Sequence, residues 1–214
     1  GAVSETDGIP LVILKLLPVV APEFWGGPDN FLSVIGLFDD ERNAGYPFPR
    51  GIGFSGMTRK DPLGDIDYAS FTCGGCHIGR VRHPDGRYEY LDGGVNSEFD
   101  VIGYRKRIVQ SIDKVSAATP AGSTPGAHLV ETLLKALDAV TTKDPHYFYN
   151  NYSQGGTQFD AGYEAGQVAL FRKTAEATIA KFSSHQQQAY EGWKYLSKHY
   201  YPEIESRIVD GFPG

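Results

Sequence analysis

The chain has 214 residues, 26 of them Gly and 13 Pro, with 41 % hydrophobic residues and a formal net charge of −6. That length can bury a sizeable core, and the acidic balance argues against nucleic acid or an anionic membrane surface as a partner. The apolar run Leu11 to Leu17 is interrupted by Lys15 and falls well short of the roughly 20 residues of a transmembrane helix.

In chain order, residues 1–30 read as an N-terminal arm packed on the core. Pro10, Pro18 and Pro22 bracket a short buried helix or extended segment within it. Asp29 to Arg42 is predicted as a short helix on Phe31, Leu32, Ile35, Leu37 and Phe38. Tyr46 to Asp67 is rich in Gly and Pro and is predicted as loop. A helix is expected from about Asp67 to His77. A loop from Gly79 to Gly94 follows, with a hairpin turning at Pro84-Asp85-Gly86 between Val81-Arg82-His83 and Tyr88-Glu89-Tyr90. Ser97 to Asp100 resembles a capping box, and Val101, Arg105, Ile108, Ile112 and Val115 then recur at helical spacing. Thr119 to Gly126 is a linker. Thr124 as N-cap and Pro125 at the first helical position open another helix carrying Val130, Leu133, Leu134 and Leu137. After a polar loop from Asp144 to Gly156, two more helices are predicted. One carries Val168, Phe171, Ala175, Ile179 and Phe182, and the other Tyr190, Trp193, Leu196, Tyr200 and Ile204. The expected fold class is mainly α, with long irregular loops.

Cys73-Gly74-Gly75-Cys76-His77 carries the chemistry. The chain has two cysteines, and both stand in a C-x-x-C-H pattern, the attachment signature of a c-type haem. Thiols at i and i+3 of a helical turn face the same way, so each reaches one vinyl group, and His77 at i+4 can ligate the iron. Three other readings compete with it. A dithiol redox site wants a strand before the motif within a βαβ pattern, and Phe71-Thr72 alone does not show one. Zinc wants four ligands, and there is no second cysteine pair. A disulfide closing so short a loop would be strained and contribute little. Haem c is attached outside the cytoplasm, so the motif implies a periplasmic or cell-surface location. Gly1 in place of Met points to a processed or cut N-terminus.

The chain resembles the N-terminal haem domain of the di-haem rubber oxygenases and their cytochrome c peroxidase-like relatives. The resemblance rests on Ile9-Pro10, Leu17-Pro18 and Pro22. It continues in Pro49-Arg50-Gly51-Ile52-Gly53-Phe54, then Phe71 to His77 with Gly79, and Leu91-Asp92-Gly93-Gly94 followed by Asp100. It implies a cytochrome c-like haem domain over residues 31–214, haem attachment at Cys73 and Cys76, and His77 as proximal ligand. It also suggests calcium at Asp85, Asp92 and Asp100, whose spacing is not that of an EF-hand loop. The chain departs from the family in having no second C-x-x-C-H. It is therefore either a mono-haem relative or a fragment of a longer di-haem chain.

The sixth iron position separates electron transfer from oxygen or peroxide chemistry. Met57 and His128 are the leading candidate distal ligands, with His83, His146, His185 and His199 behind them and an open site as the alternative. Arg80 and Arg82 are candidates to pair with haem propionates through their planar donor forks. The expectation is an exported mono-haem c-type cytochrome passing electrons between redox partner proteins. The alternatives are a haem-dependent oxygenase or peroxidase with an open distal site, and a subunit of a larger redox assembly with other haem proteins or a second haem domain.

Overall fold

The computed structural model describes residues 8–29, 32–38, 49, 51–55, 66–149 and 161–199. Helices dominate, with two small antiparallel sheets beside them. In chain order the elements are β1 (Ile9–Pro10), α1 (Leu11–Val20), α2 (Pro22–Trp25), a 3-10 turn at Ser33–Ile35, β2 (Ile52–Ser55), β3 (Tyr68–Phe71), α3 (Cys73–His77), β4 (Ile78–Arg82), β5 (Tyr88–Asp92), α4 (Val101–Ala117), α5 (Pro125–Lys143) and α6 (Ala161–His199).

The run expected to lie as an arm against the core forms its centre. α1 packs on α5, α4, α2 and β3, and Leu11, Ile13, Leu14, Leu16 and Leu17 are fully buried. A helix apolar on nearly every side must be covered on nearly every side. Its first backbone donor, which has no partner within the helix, is met from outside: the Leu11 N–H donates to the Asp67 carbonyl at 2.8 Å. Trp25, at the end of α2, is also fully buried, and its Nε1–H donates to Ser111 Oγ at 2.8 Å. Arg107 Nε donates to the Phe24 carbonyl at 3.0 Å, and Lys114 pairs with Glu23, so α4 holds α2 by polar bonds along its length.

β3 is the middle strand of the first sheet, between β1 and β2. The helix expected from Asp67 is therefore confined to Cys73–His77. Tyr68 to Phe71 is paired on both edges, with Ala69 and Ser70 buried between half-buried ends, and the Gly74-Gly75 pair gives a helix little to propagate on. The helix expected over Asp29–Arg42 is a single 3-10 turn within the described residues. Part of the expected loop before Asp67 is strand β2.

The second sheet is the expected hairpin, β4 against β5. Gly86, at φ +88°, closes its three-residue turn by donating to the His83 carbonyl at 2.9 Å, as a type I turn followed by a left-handed residue does. α4 begins later than the expected cap: Asp100, not Ser97, is the N-cap and accepts from Gly103 N at 2.6 Å. Thr124 and Pro125 open α5 as expected, with Thr124 Oγ1 accepting from Ala127 N at 3.2 Å. The last two predicted helices are one continuous helix, α6, because Ser183 to Gln188 holds neither Pro nor Gly to break it.

A buried polar cluster joins α6 to the rest. Asp67 accepts hydrogen bonds from the Tyr149 and Tyr163 hydroxyls, and its backbone N–H donates to Gln167. Glu164, also buried, accepts from the Phe148 and Tyr149 N–H groups and pairs with His146. Burial raises the Asp67 carboxyl above its ordinary value, against the two phenol hydrogen bonds that lower it.

Lys15 is part-buried over the Tyr147 ring, 4.7 Å from its centre. Burial lowers its amine to about 8, and the charges of Glu164 and Asp144 only partly oppose this. Its folded value lies below its unfolded one. The stability that the neutral amine contributes is thus full above the unfolded value and is lost as pH falls through about 8. Unfolding free energy should therefore rise between pH 8 and 9.5. Above pH 10 the buried tyrosines reverse the trend, because burial pushes Tyr147 up to about 12 and holds Tyr104 and Tyr149 above their usual range as well. Lys15→Met should abolish that rise and stabilise the fold by about 1–3 kcal/mol at pH 7. Urea unfolding at a series of pH values is the measurement.

Candidate functional site

The motif turn is set by what lies behind it. Thr72 is extended and donates its N–H to the Gly51 carbonyl at 2.8 Å, and Gly75 N then closes the turn on the Thr72 carbonyl at 2.9 Å. Gly75 is buried with its backbone against Gly51. A Cβ on Gly51 would lie 2.4 Å from Gly75 Cα, and Gly51 has φ +98°, so only glycine fits there.

Asn96 secures the other side of the turn. Its Nδ2 donates to the Gly75 carbonyl at 3.0 Å and the Gly36 carbonyl at 2.9 Å. Its backbone N–H donates to the Cys76 carbonyl at 2.8 Å, and Gly93 N–H to the His77 carbonyl at 2.8 Å. The inner side of the turn is thus close backbone packing. The side chains of Cys73, Cys76 and His77 are exposed, and both thiols are free.

Behind the turn, edge-on rings lead inward. Phe71 packs on Phe99 and on Tyr104 with centroids 4.7 Å apart in each case, and Tyr104 packs on Trp25 at 6.1 Å. Such geometry adds to simple burial and keeps water from the inner side of the motif.

The structure brings Arg80 to the site but commits it elsewhere. Its guanidinium pairs with Glu98 at 2.7 Å and lies over the rings of Phe38 and Tyr88, at 4.4 and 4.5 Å. Arg82 is exposed on β4, two residues further on. Met57 lies outside the described residues. His128 stands on the first turn of α5 near Glu131, and α5 packs chiefly on α1, α4 and α6 while α3 abuts β4. His83 bonds Glu89 and His146 bonds Glu164.

The three aspartates suggested for calcium are dispersed. Asp85 is bound to Arg87, and Asp100 caps α4 and pairs with Arg107. Among the described residues no three His, Cys, Asp or Glu side chains gather as a metal-ligand set. A strand, β3, does precede the motif, as a dithiol redox site would want. But α3 is a single turn and both sheets are antiparallel, not the βαβ setting of such sites.

Asn96, Gly51 and Gly36 are the supporting residues that motif reading does not find. Gly51 sits in the stretch Pro49 to Phe54 that carried the family resemblance. Asn96 has one local bond, its Oδ1 accepting from the Glu98 N–H at 3.1 Å, but the carbonyls its amide holds under the motif are 21 and 60 residues away.

A family model described as a Y4iN-like domain matches residues 1–77, ending on the motif histidine. An uncharacterized protein y4iN of Sinorhizobium fredii is 30 % identical over 104 residues, 37 % of this chain and 50 % of that protein. The chain thus spans about half the length of the curated relative it matches. No solved structure matches. Among the described residues, no helix is long and apolar enough to cross a membrane.

Removing the Asn96 amide leaves two carbonyls without their donor beneath the motif. Asn96→Ala should lower unfolding free energy by about 2–4 kcal/mol, whereas the exposed neighbour substitution Ser97→Ala should cost less than about 0.5 kcal/mol. Urea denaturation of the two variants is the check.

Proposed function

We propose that the chain is a c-type cytochrome, with a cytochrome c-like haem domain, acting in electron transfer outside the cytoplasm. One observation carries this reading: two free thiols and an imidazole on the outer side of a single turn whose inner side is fixed by backbone packing. Cys73 and Cys76 would hold the haem through two thioethers and His77 through its imidazole. The group itself would supply one-electron ferric–ferrous chemistry. The rest belongs to the chain's own residues. Gly51 and Asn96 fix the direction of the three side chains, and Phe71, Phe99 and Tyr104 keep water from the turn's inner face. Arg80 is held by Glu98, and Arg82 shares its face of β4, so neither is assigned a propionate.

A second reading has an observation of its own. His83 and His146 are bonded to carboxylates, and His128 is on a helix whose main packing is with other helices. That favours an open sixth position and hence a haem-dependent oxygenase or peroxidase. Electron transfer stays ahead because what the chain supplies is a rigid mount for one haem, with Gly51 and Asn96 fixing the turn. A place as one subunit of a larger redox assembly is compatible with either.

The chain produced alongside haem c maturation machinery should give a ferrous spectrum that carbon monoxide changes slowly or not at all. Immediate stoichiometric carbon monoxide binding, with oxygen-dependent cleavage of an unsaturated substrate, would put the enzyme reading first. His77→Ala should retain covalent colour but lose the normal c-type ferrous spectrum; an unchanged spectrum would contradict proximal ligation by His77.

A further inference from the structure

Among the described residues, five of the seven large apolar side chains left exposed lie between positions 81 and 101: Val81, Tyr88, Leu91, Val95 and Val101. The register of the hairpin sorts three of them onto one side. Gly79 pairs with Leu91, and Val81 with Glu89, so these four share a face; Arg80, Arg82, Tyr88 and Tyr90 share the other. The second group covers Phe38, whose ring lies 5.6 Å from Tyr90 and 4.4 Å from the Arg80 guanidinium.

On the first side, the Gly93 N–H to His77 carbonyl bond carries the ladder one position further. The His77 backbone, at the end of α3, is thereby held at the open end of the hairpin beside Gly93. The turn after β5 folds over Gly79, where a Cβ would lie 2.9 Å from the Val95 carbonyl. Val81, Leu91 and Val95 are 48 %, 42 % and 74 % exposed, on the hairpin and the turn that His77 adjoins.

We propose that this side of the β4–β5 hairpin is the seat of the porphyrin, with Val81, Leu91 and Val95 against the apolar macrocycle. The inference rests on the haem reading above and adds where the group lies. A macrocycle tethered to Cys73 and Cys76 and held by His77 would lie against the hairpin that α3 abuts, where Val81 and Leu91 are the exposed apolar groups of the first side. Covering it removes apolar area from water at about 25 cal/mol per Å². A second copy of the chain is a poorer occupant: three side chains fall short of the roughly 1,000 Å² a specific interface needs. Towards the hairpin tip the strip gives way to the His83–Glu89 pair, which limits it to a small flat body.

The test is a methyl-resolved NMR spectrum of the haem-loaded ferrous chain, with Val81→Ala, Leu91→Ala and Val95→Ala identifying the three residues' signals. All three should be moved far from their usual positions by the porphyrin ring current, while Val115, in the core on α4, should not move. Covalent haem with the three sets of methyls at ordinary positions would overturn the seat and leave the haem reading standing. Absence of covalent haem in the wild-type chain would overturn both. A concentration-dependent dimer abolished by Leu91→Lys, with unshifted methyls, would assign the face to a second copy instead.

Discussion

The backbone contact between Gly51 and Gly75 is the constraint on which the site depends. Two segments meet there at a separation that leaves no room for a Cβ on Gly51. Because the turn is pressed inward at Gly75, its flanking side chains have only the outer direction. Asn96 then locks the arrangement by bridging the turn to Gly36, near the 3-10 turn. Buried polar bridges of this kind are satisfied only in one geometry, so they specify the direction of Cys73, Cys76 and His77 more sharply than apolar packing would.

The same strand ties the site to the core. β3 enters the motif at one end and at the other is preceded by Asp67, which two tyrosines and Gln167 hold against the region before α6 and α6 itself. The Asp67 carbonyl also accepts from Leu11, at the start of the central helix. Movement of the motif turn is thus resisted through β3 by the buried helix and the long terminal helix together. On the haem reading proposed above, such a mount would limit reorganisation in electron transfer, and in an oxygenase would hold the His77 side fixed.

Local chemistry was legible and tertiary placement was not. Pro84-Asp85-Gly86 and Thr124-Pro125 specify their turn and helix start through residues in immediate sequence, and the structure has both. The C-x-x-C-H pattern is a matter of spacing, and the structure sets it on the single turn α3. The extent of the motif helix was misjudged because Tyr68 to Phe71 is drawn into a sheet by β1 and β2, distant partners that periodicity does not reveal. The apolar run at residues 11–20 looked peripheral because it is short and early. Its central position follows from all its faces being apolar, a pattern equally consistent with an arm until its neighbours are known. Asp100 displaced Ser97 as helix cap because the Asn96 loop occupies the chain before it. Asn96 is hidden in the sequence because the carbonyls its amide holds are far along the chain.

Covalent haem at Cys73 and Cys76 is the central claim, and the intact mass of the denatured chain, produced with haem c maturation machinery, tests it most directly. The account predicts the polypeptide mass increased by one haem, with the increase lost in the Cys73→Ala, Cys76→Ala double variant. A bare polypeptide mass, or one lower by the two hydrogens of a Cys73–Cys76 disulfide, would contradict it.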